Sequence, residues 1–193
     1  MSEAFGVHLL RNFLVQDQIL SLGHTYRVMD AQKNHLFTVQ GDAGQNVSAG
    51  ILEGTIGGYL GRYAGRSINM SYSLTDRAGT RWAVLQKQGS GNHSTFTLYD
   101  NAQRPWLMIE IQRGLVGGIQ ATARAPTGQP MMATSGNLIR HNFVIRDPQG
   151  QELAKVHEQW IAVRDTYNVD LIGAIDPLFP LVYAIAIDYE KIR

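Results

Sequence analysis

The stretch "YSLTDRAGTRWAVL", running from Tyr72 to Leu85, reads as a complete β-hairpin. Tyr72 and Leu74 sit two apart and so share one face of a strand, while Ser73 and Thr75 point the other way. Asp76 opens the turn, where a short carboxylate accepts backbone N–H groups, and Gly79 falls near the position that needs an unusual φ. The run after Arg81 returns as the second arm.

The same phrase is written three more times: "YRVMDAQKNHLFTV" from Tyr26, "FTLYDNAQRPWLMI" from Phe96 and "FVIRDPQGQELAKV" from Phe143. Each is an aromatic, an aliphatic two residues on, an aspartate, a short polar turn and a second apolar run. Asp30, Asp100 and Asp147 take the place of Asp76, and Asn34, Gln103 and Gly150 follow at or near the position of unusual φ. The pattern assigns these aspartates to turn structure and not to a shared metal site. The first and third lie 70 positions apart and the second and fourth 71, which predicts a duplicated β unit of about seventy residues.

Further strand candidates are "NFLVQ" from Asn12, "GGIQATAR" from Gly117, "QPMMATS" from Gln129 and "TYNVDLI" from Thr166. With both arms of each hairpin the total is about twelve strands at fairly regular spacing, which argues a sandwich or barrel with no βαβ alternation. One stretch departs from the pattern. Residues Gly41 to Ser67 hold eight glycines, too many for a stable helix, and read as an irregular excursion between two strands. The whole chain, residues 1–193, is expected to be a single domain with this Gly-rich excursion at 41–67.

Composition narrows the function. The chain has 193 residues, no cysteine and a net charge of +1. Disulfides, thiolate catalysis and thiolate zinc sites are therefore excluded. The arginines, among them Arg27, Arg62, Arg66, Arg81, Arg104, Arg124 and Arg146, are scattered along the sequence, so nucleic acid is not an expected partner. The first twenty residues have an early acid, no basic n-region and no long apolar run, which is not a secretory signal and points to a cytoplasmic protein.

No motif announces a reaction. "GTIGGYLG" has glycines but lacks the Gly-Lys-Ser/Thr of a phosphate loop. "HEQW" from His157 begins like a zinc-protease motif, yet Ile161 stands where the second histidine belongs. His8, His24, His35, His93, His141 and His157 show no ligand spacing, and no Gly-x-Ser-x-Gly elbow is present. No catalytic, cofactor-binding or metal-binding residues are assigned, and no cofactor is expected.

The terminal "PLFPLVYAIAIDYEKIR" from Pro177 carries an uninterrupted apolar run from Leu181 to Ile187. Asp176, Pro177 and Pro180 bound it on one side and Asp188, Glu190 and Lys191 on the other, so it is too short to span a membrane. It lacks the polar face of an interfacial helix and must be buried. Asp176 is a plausible N-cap with Pro177 in the first turn, but a central strand fits the run equally well.

The repeated Asp hairpins, the opening "NFLVQDQILSLGHTYRVMDAQKNHLFTVQGD", the segment "KVHEQWIAVRDTYNVDL" and the ending "AIAIDYE" resemble the LURP-one-related family, a branch of the Tubby C-terminal-like superfamily that also includes phospholipid scramblases. The resemblance covers about Asn12 to Glu190. Its most specific part is Lys155, Trp160, Asp165 and Tyr167 followed by the apolar segment closed by Ile187 and Asp188. It implies a closed antiparallel barrel of about twelve strands surrounding a central hydrophobic C-terminal α-helix. Small side chains at Ala184 and Ala186 would then let the walls approach the helix.

For function the resemblance implies less. Tubby domains bind phosphoinositides through basic surface residues, for which no matching constellation exists here. Scramblases are associated with calcium through an acidic segment whose nearest counterparts are Asp165, Asp170 and Asp176, too few oxygens for a site that wants six to eight. The expected role is a non-catalytic soluble barrel that binds or scaffolds an unknown protein or phospholipid partner. The alternatives are a peripheral membrane phospholipid-binding or scramblase-like protein, and an enzyme whose site is not visible in the sequence.

Overall fold

The computed structural model describes residues 10–17, 25–41, 70–90, 92–114, 118–137, 142–159 and 166–190. They form twelve strands and one helix: β1 (Asn12–Asp17), β2 (Thr25–Met29), β3 (His35–Gly41), β4 (Met70–Asp76), β5 (Arg81–Ser90), β6 (His93–Asp100), β7 (Pro105–Arg113), β8 (Ile119–Arg124), β9 (Pro130–Asn137), β10 (Asn142–Arg146), β11 (Glu152–Gln159), β12 (Thr166–Leu171) and α1 (Leu178–Tyr189). Consecutive strands pair antiparallel, and β12 pairs back onto β1 to close the barrel. Closure leaves no sheet edge.

All four hairpins foreseen from the repeat are present, and their aromatic and aliphatic residues, Tyr26 and Val28, Tyr72 and Leu74, Phe96 and Leu98, Phe143 and Ile145, all face the core. The turns share one hydrogen-bond pattern. In the second, Asp76 N–H donates to the Thr80 carbonyl and Gly79 N–H to the Asp76 carbonyl, while the Asp76 carboxylate accepts the N–H groups of Ala78 and Thr80 and the indole N–H of Trp82. Asp30, Asp100 and Asp147 accept their own turn N–H groups in the same way. The third residue after the aspartate has the left-handed φ: Gly79 and Gly150, but also Lys33 (64°) and Gln103 (59°). In the first turn the strained residue is thus Lys33 and not Asn34.

A fifth turn lacks the aspartate. Ala125 N–H donates to the Gln129 carbonyl and Gly128 N–H to the Ala125 carbonyl, with Gly128 at φ 86°. Each of the five hairpins also carries a bulge one step into its returning strand, where the register skips Leu36, Trp82, Trp106, Met131 or Leu153. A bulge turns its strand and sharpens the local twist. Here it recurs with a large apolar side chain each time.

The near-equal spacings of 70 and 71 do not mark a duplication. Asp30 to Asp100 steps from β2 to β6, four strands on, whereas Asp76 to Asp147 steps from β4 to β10, six strands on. The long connection between β3 and β4 lengthens one interval and the fifth hairpin the other. Of the Gly-rich excursion at 41–67, Gly41 ends β3 and residues 42–67 lie outside the described set.

The terminal segment is helical and central. Leu178, Pro180, Leu181, Val182, Tyr183, Ala184, Ile185, Ala186 and Ile187 are all buried, which is why the helix is apolar around its whole circumference. Ala184 and Ala186 are fully enclosed, so their small side chains set the distance to the wall. The Asp176 carboxylate accepts the Leu178 N–H at 3.0 Å and thereby caps the first turn, with Pro177 already at helical dihedrals. Burial of Leu181, Val182, Ile185 and Ile187 stabilises by about 1.5–3 kcal/mol each.

Candidate functional site

The interior is the first place to look for a site, because barrels of this size can hold a ligand where side chains leave room. Here α1 takes that room. The gap between Tyr26, Tyr72, Phe96, Ile185 and Tyr189 does not admit a water molecule. Tyr183, fully buried on α1, donates its hydroxyl to the Ala121 carbonyl at 2.5 Å and ties the helix to β8.

A buried ionic cluster lies at the C-terminal end of α1. Glu190, 3% exposed, meets the Lys87 ammonium at 3.2 Å and the Arg113 guanidinium at 2.5 Å. Arg113 also donates to the Glu190 backbone carbonyl. Both cations sit where the helix dipole is negative. Lys87 lies 5.3 Å from the Tyr189 ring centre, and that ring packs edge-on against Tyr72 and Phe96. The Tyr189 hydroxyl reaches Met70 Sδ at 2.7 Å.

Beside this cluster Asp17 and Asp188 are buried with Tyr26 and Tyr167. Burial pushes both phenols well above their ordinary range, and the charges of Asp188 and Asp17 push them further, so they stay protonated. The terminal acids Asp188 and Glu190, which the sequence places as a charged boundary of the apolar run, are therefore inside the barrel. The clue was in the alternation: Lys87 continues the inward series Ala83 and Leu85, and Asp17 continues Phe13 and Val15. Charges in phase with core residues require buried partners. Chemically the arrangement holds the helix end in place, since its acid faces two cations.

On the outer wall, His157 and Asp170 meet across β11 and β12, with Nδ1 3.3 Å from the carboxylate, and Asn12 donates to Asp170 at 2.6 Å. The Asn168 amide nitrogen faces His157 Nε2 at 3.0 Å. An amide donor there leaves the ring proton on Nδ1, toward Asp170, so both ring nitrogens are engaged. Of the acids compared with a calcium segment, Asp170 is held by Asn12 and His157, Asp176 caps α1, and Asp165 lies outside the described residues, as does Trp160. Among the described residues no three His, Asp or Glu side chains converge as a metal site would require.

Many outward positions of the wall are polar, among them Arg27, Thr38, Ser73, Thr75, Gln86, Thr97, Glu110, Thr122, Lys155 and Asn168, with Val84, Tyr99, Met108 and Val144 in register beside them. Among the described residues no helix is long and apolar enough to cross a membrane.

No protein-family model and no curated protein matches this chain. Among solved structures, the X-ray structure of a protein from Arabidopsis thaliana is similar over 93% of this chain and 91% of its own, with a TM-score of 0.56 at 12% sequence identity. At that identity the likeness shows a shared fold.

Proposed function

We propose that this is a non-catalytic, cytoplasmic binding or scaffold barrel of the LURP-one-related type, which engages its partner through its outer wall and connecting loops. The observation that carries this reading is the filled interior: the place where a barrel would bind a small molecule is occupied by the chain's own helix. Every acid–base cluster described above is either enclosed at the helix end or internally engaged on the wall. The family assignment rests on the Asp hairpins and the ending "AIAIDYE", and the shared fold of the Arabidopsis protein is compatible with it.

A peripheral membrane role is the weaker reading. It rests on the scramblase resemblance and on the Ile, Leu, Tyr and Arg content of residues 50–66, which lie outside the described set. Ile172 is the one strongly exposed large apolar side chain among the described residues, a small apolar contribution to a lipid surface. The deciding experiment screens the purified protein against a broad hydrolase and transferase panel and, in parallel, floats it with anionic liposomes with and without calcium. The binding reading expects no saturable turnover. A saturable rate abolished by one substitution would overturn it, and co-flotation would move the function to the membrane.

A further inference from the structure

Arginines that are far apart in sequence are brought into one row by the strand register. Arg27 on β2 pairs with Thr38 on β3, Thr38 with Thr75 on β4, and Thr75 with Arg81 on β5. All four face outward, and both arginines are exposed. Arg77 and Lys33, in the turns at the end of the same wall, are exposed as well, and none of the four cations has an ion-pair partner among the described residues. The two nearby turn acids, Asp30 and Asp76, stay ionised with their oxygens held by Asn34 and by the Ala78, Thr80 and Trp82 N–H groups, so four cations stand against two anions at this wall. His35 registers the resulting field: its pKa is held below the ordinary value by burial and then by the charges of Arg27 and Arg77. Its Nε2 sits 3.0 Å from the Thr38 hydroxyl, in the middle of the row.

We propose that this wall, Arg27–Thr38–Thr75–Arg81 with Arg77 and Lys33 at its rim, docks an acidic, extended segment of a partner protein. The proposal rests on the reading that the outer wall is the working surface. Three interstrand steps separate Arg27 from Arg81, roughly 14 Å at about 4.8 Å each. Carboxylates on one face of an extended chain recur about every 6.6 Å, so residues four apart span about 13 Å and meet the two guanidiniums. Arginine holds a carboxylate through paired N–H donors, and the threonine hydroxyls between them offer hydrogen bonds to the intervening residues. The charges lie along a line on a convex wall, and among the described residues no large apolar side chain is exposed beside them, which favours a polar strand of protein over an inserted lipid surface.

The test uses a fluorescein-labelled nine-residue peptide with glutamates at its third, fifth and seventh positions and serines elsewhere, followed by fluorescence anisotropy. Saturable binding is expected, weakened about tenfold or more by Arg27→Glu with Arg81→Glu, and weakened again on raising salt from about 0.1 to 0.5 M. The glutamine counterpart of the peptide should not bind. Because exposed substitutions change stability little, the double variant should melt as the parent does, and Arg27→Gln with Arg81→Gln serves if it does not. Equal affinity for parent and variant, or no binding by the parent, would overturn the proposal. Flotation with phosphatidylcholine/phosphatidylserine vesicles, lost in the same variant while the peptide stays unbound, would assign the row to a membrane. If the peptide fails while the turnover panel stays silent, only this proposal falls and the binding reading stands.

Discussion

Glu190→Gln probes the charged end of the helix most sharply. The substitution keeps size and shape but removes the negative charge that faces Lys87, whose side chain is 1% exposed, and Arg113, whose side chain is 12% exposed. Removing one partner of a buried ion pair costs about 3–5 kcal/mol, because the remaining charge stays out of water. In a chain of this length each kcal/mol shifts the melting temperature by about 2–4 °C, so a fall of about 6–20 °C is expected. Lys87→Met should also destabilise, by less, because Arg113 still neutralises Glu190. The two substitutions combined should cost less than their sum by about 1–3 kcal/mol, since the Lys87 charge that faced Glu190 is then gone while Arg113 remains. Urea denaturation of the four proteins of this cycle measures the difference. Single effects below about 1 kcal/mol, adding within about 0.5 kcal/mol, would show a solvated cluster and refute the reasoning.

Tyr183→Phe removes the hydroxyl bonded to the Ala121 carbonyl and should cost about 0.5–1.5 kcal/mol in urea denaturation without loss of the fold; no change would mean that bond carries no net stability. Gln103→Gly should stabilise by about 0.5–1 kcal/mol, because a left-handed φ costs an L-residue about 1–2 kcal/mol while glycine adds back about 0.5–1 kcal/mol of chain entropy. Gly79→Ala should act in the opposite direction even though its Cβ would meet no atom within 4 Å, and like-signed effects at the two positions would contradict the turn assignment. The turn carboxylates set an acid limit: hydrogen bonds to Asn34 lower the pKa of Asp30, those to Trp82 and Thr80 lower that of Asp76, and at Asp100 burial opposes but the Arg104 contacts prevail. Depressed carboxyl pKa values give stability that is present above the unfolded value near 4 and lost as pH falls through the folded values. The urea midpoint should therefore drop as pH falls below about 4, less steeply in Asp76→Asn, and an unchanged slope would remove Asp76 from that account.

The hairpins were legible because each writes its own geometry: an inward pair two residues apart and a carboxylate for the turn N–H groups, with glycine at the positive-φ position in two of the four. The fifth turn escaped because Ala125 makes the backbone bonds without the carboxylate, leaving only Gly128 as a signal. Helix and strand were not separable for Leu181 to Ile187, since a segment buried all round has no periodicity. The family resemblance gave the helical answer that the residues alone left open. Lys87 and Asp17 were readable as charges on inward positions, but their partner Glu190 comes from the far end of the chain and only tertiary packing brings it there. The row from Arg27 to Arg81 depends on β3 pairing with β4 across residues 42–69, a register that no local pattern specifies. Hence the scaffold was largely written in local sequence, and the candidate docking wall was not.

Native-state hydrogen exchange tests the central claim, that the chain's own helix fills the barrel and leaves the outer wall for binding. The amides of Val182 to Ile187 should belong to the slowest-exchanging set and open only with the free energy of global unfolding. Exchange of those amides at a much lower opening energy than the strands around them would show a helix that leaves the barrel, and with it an interior open to a ligand.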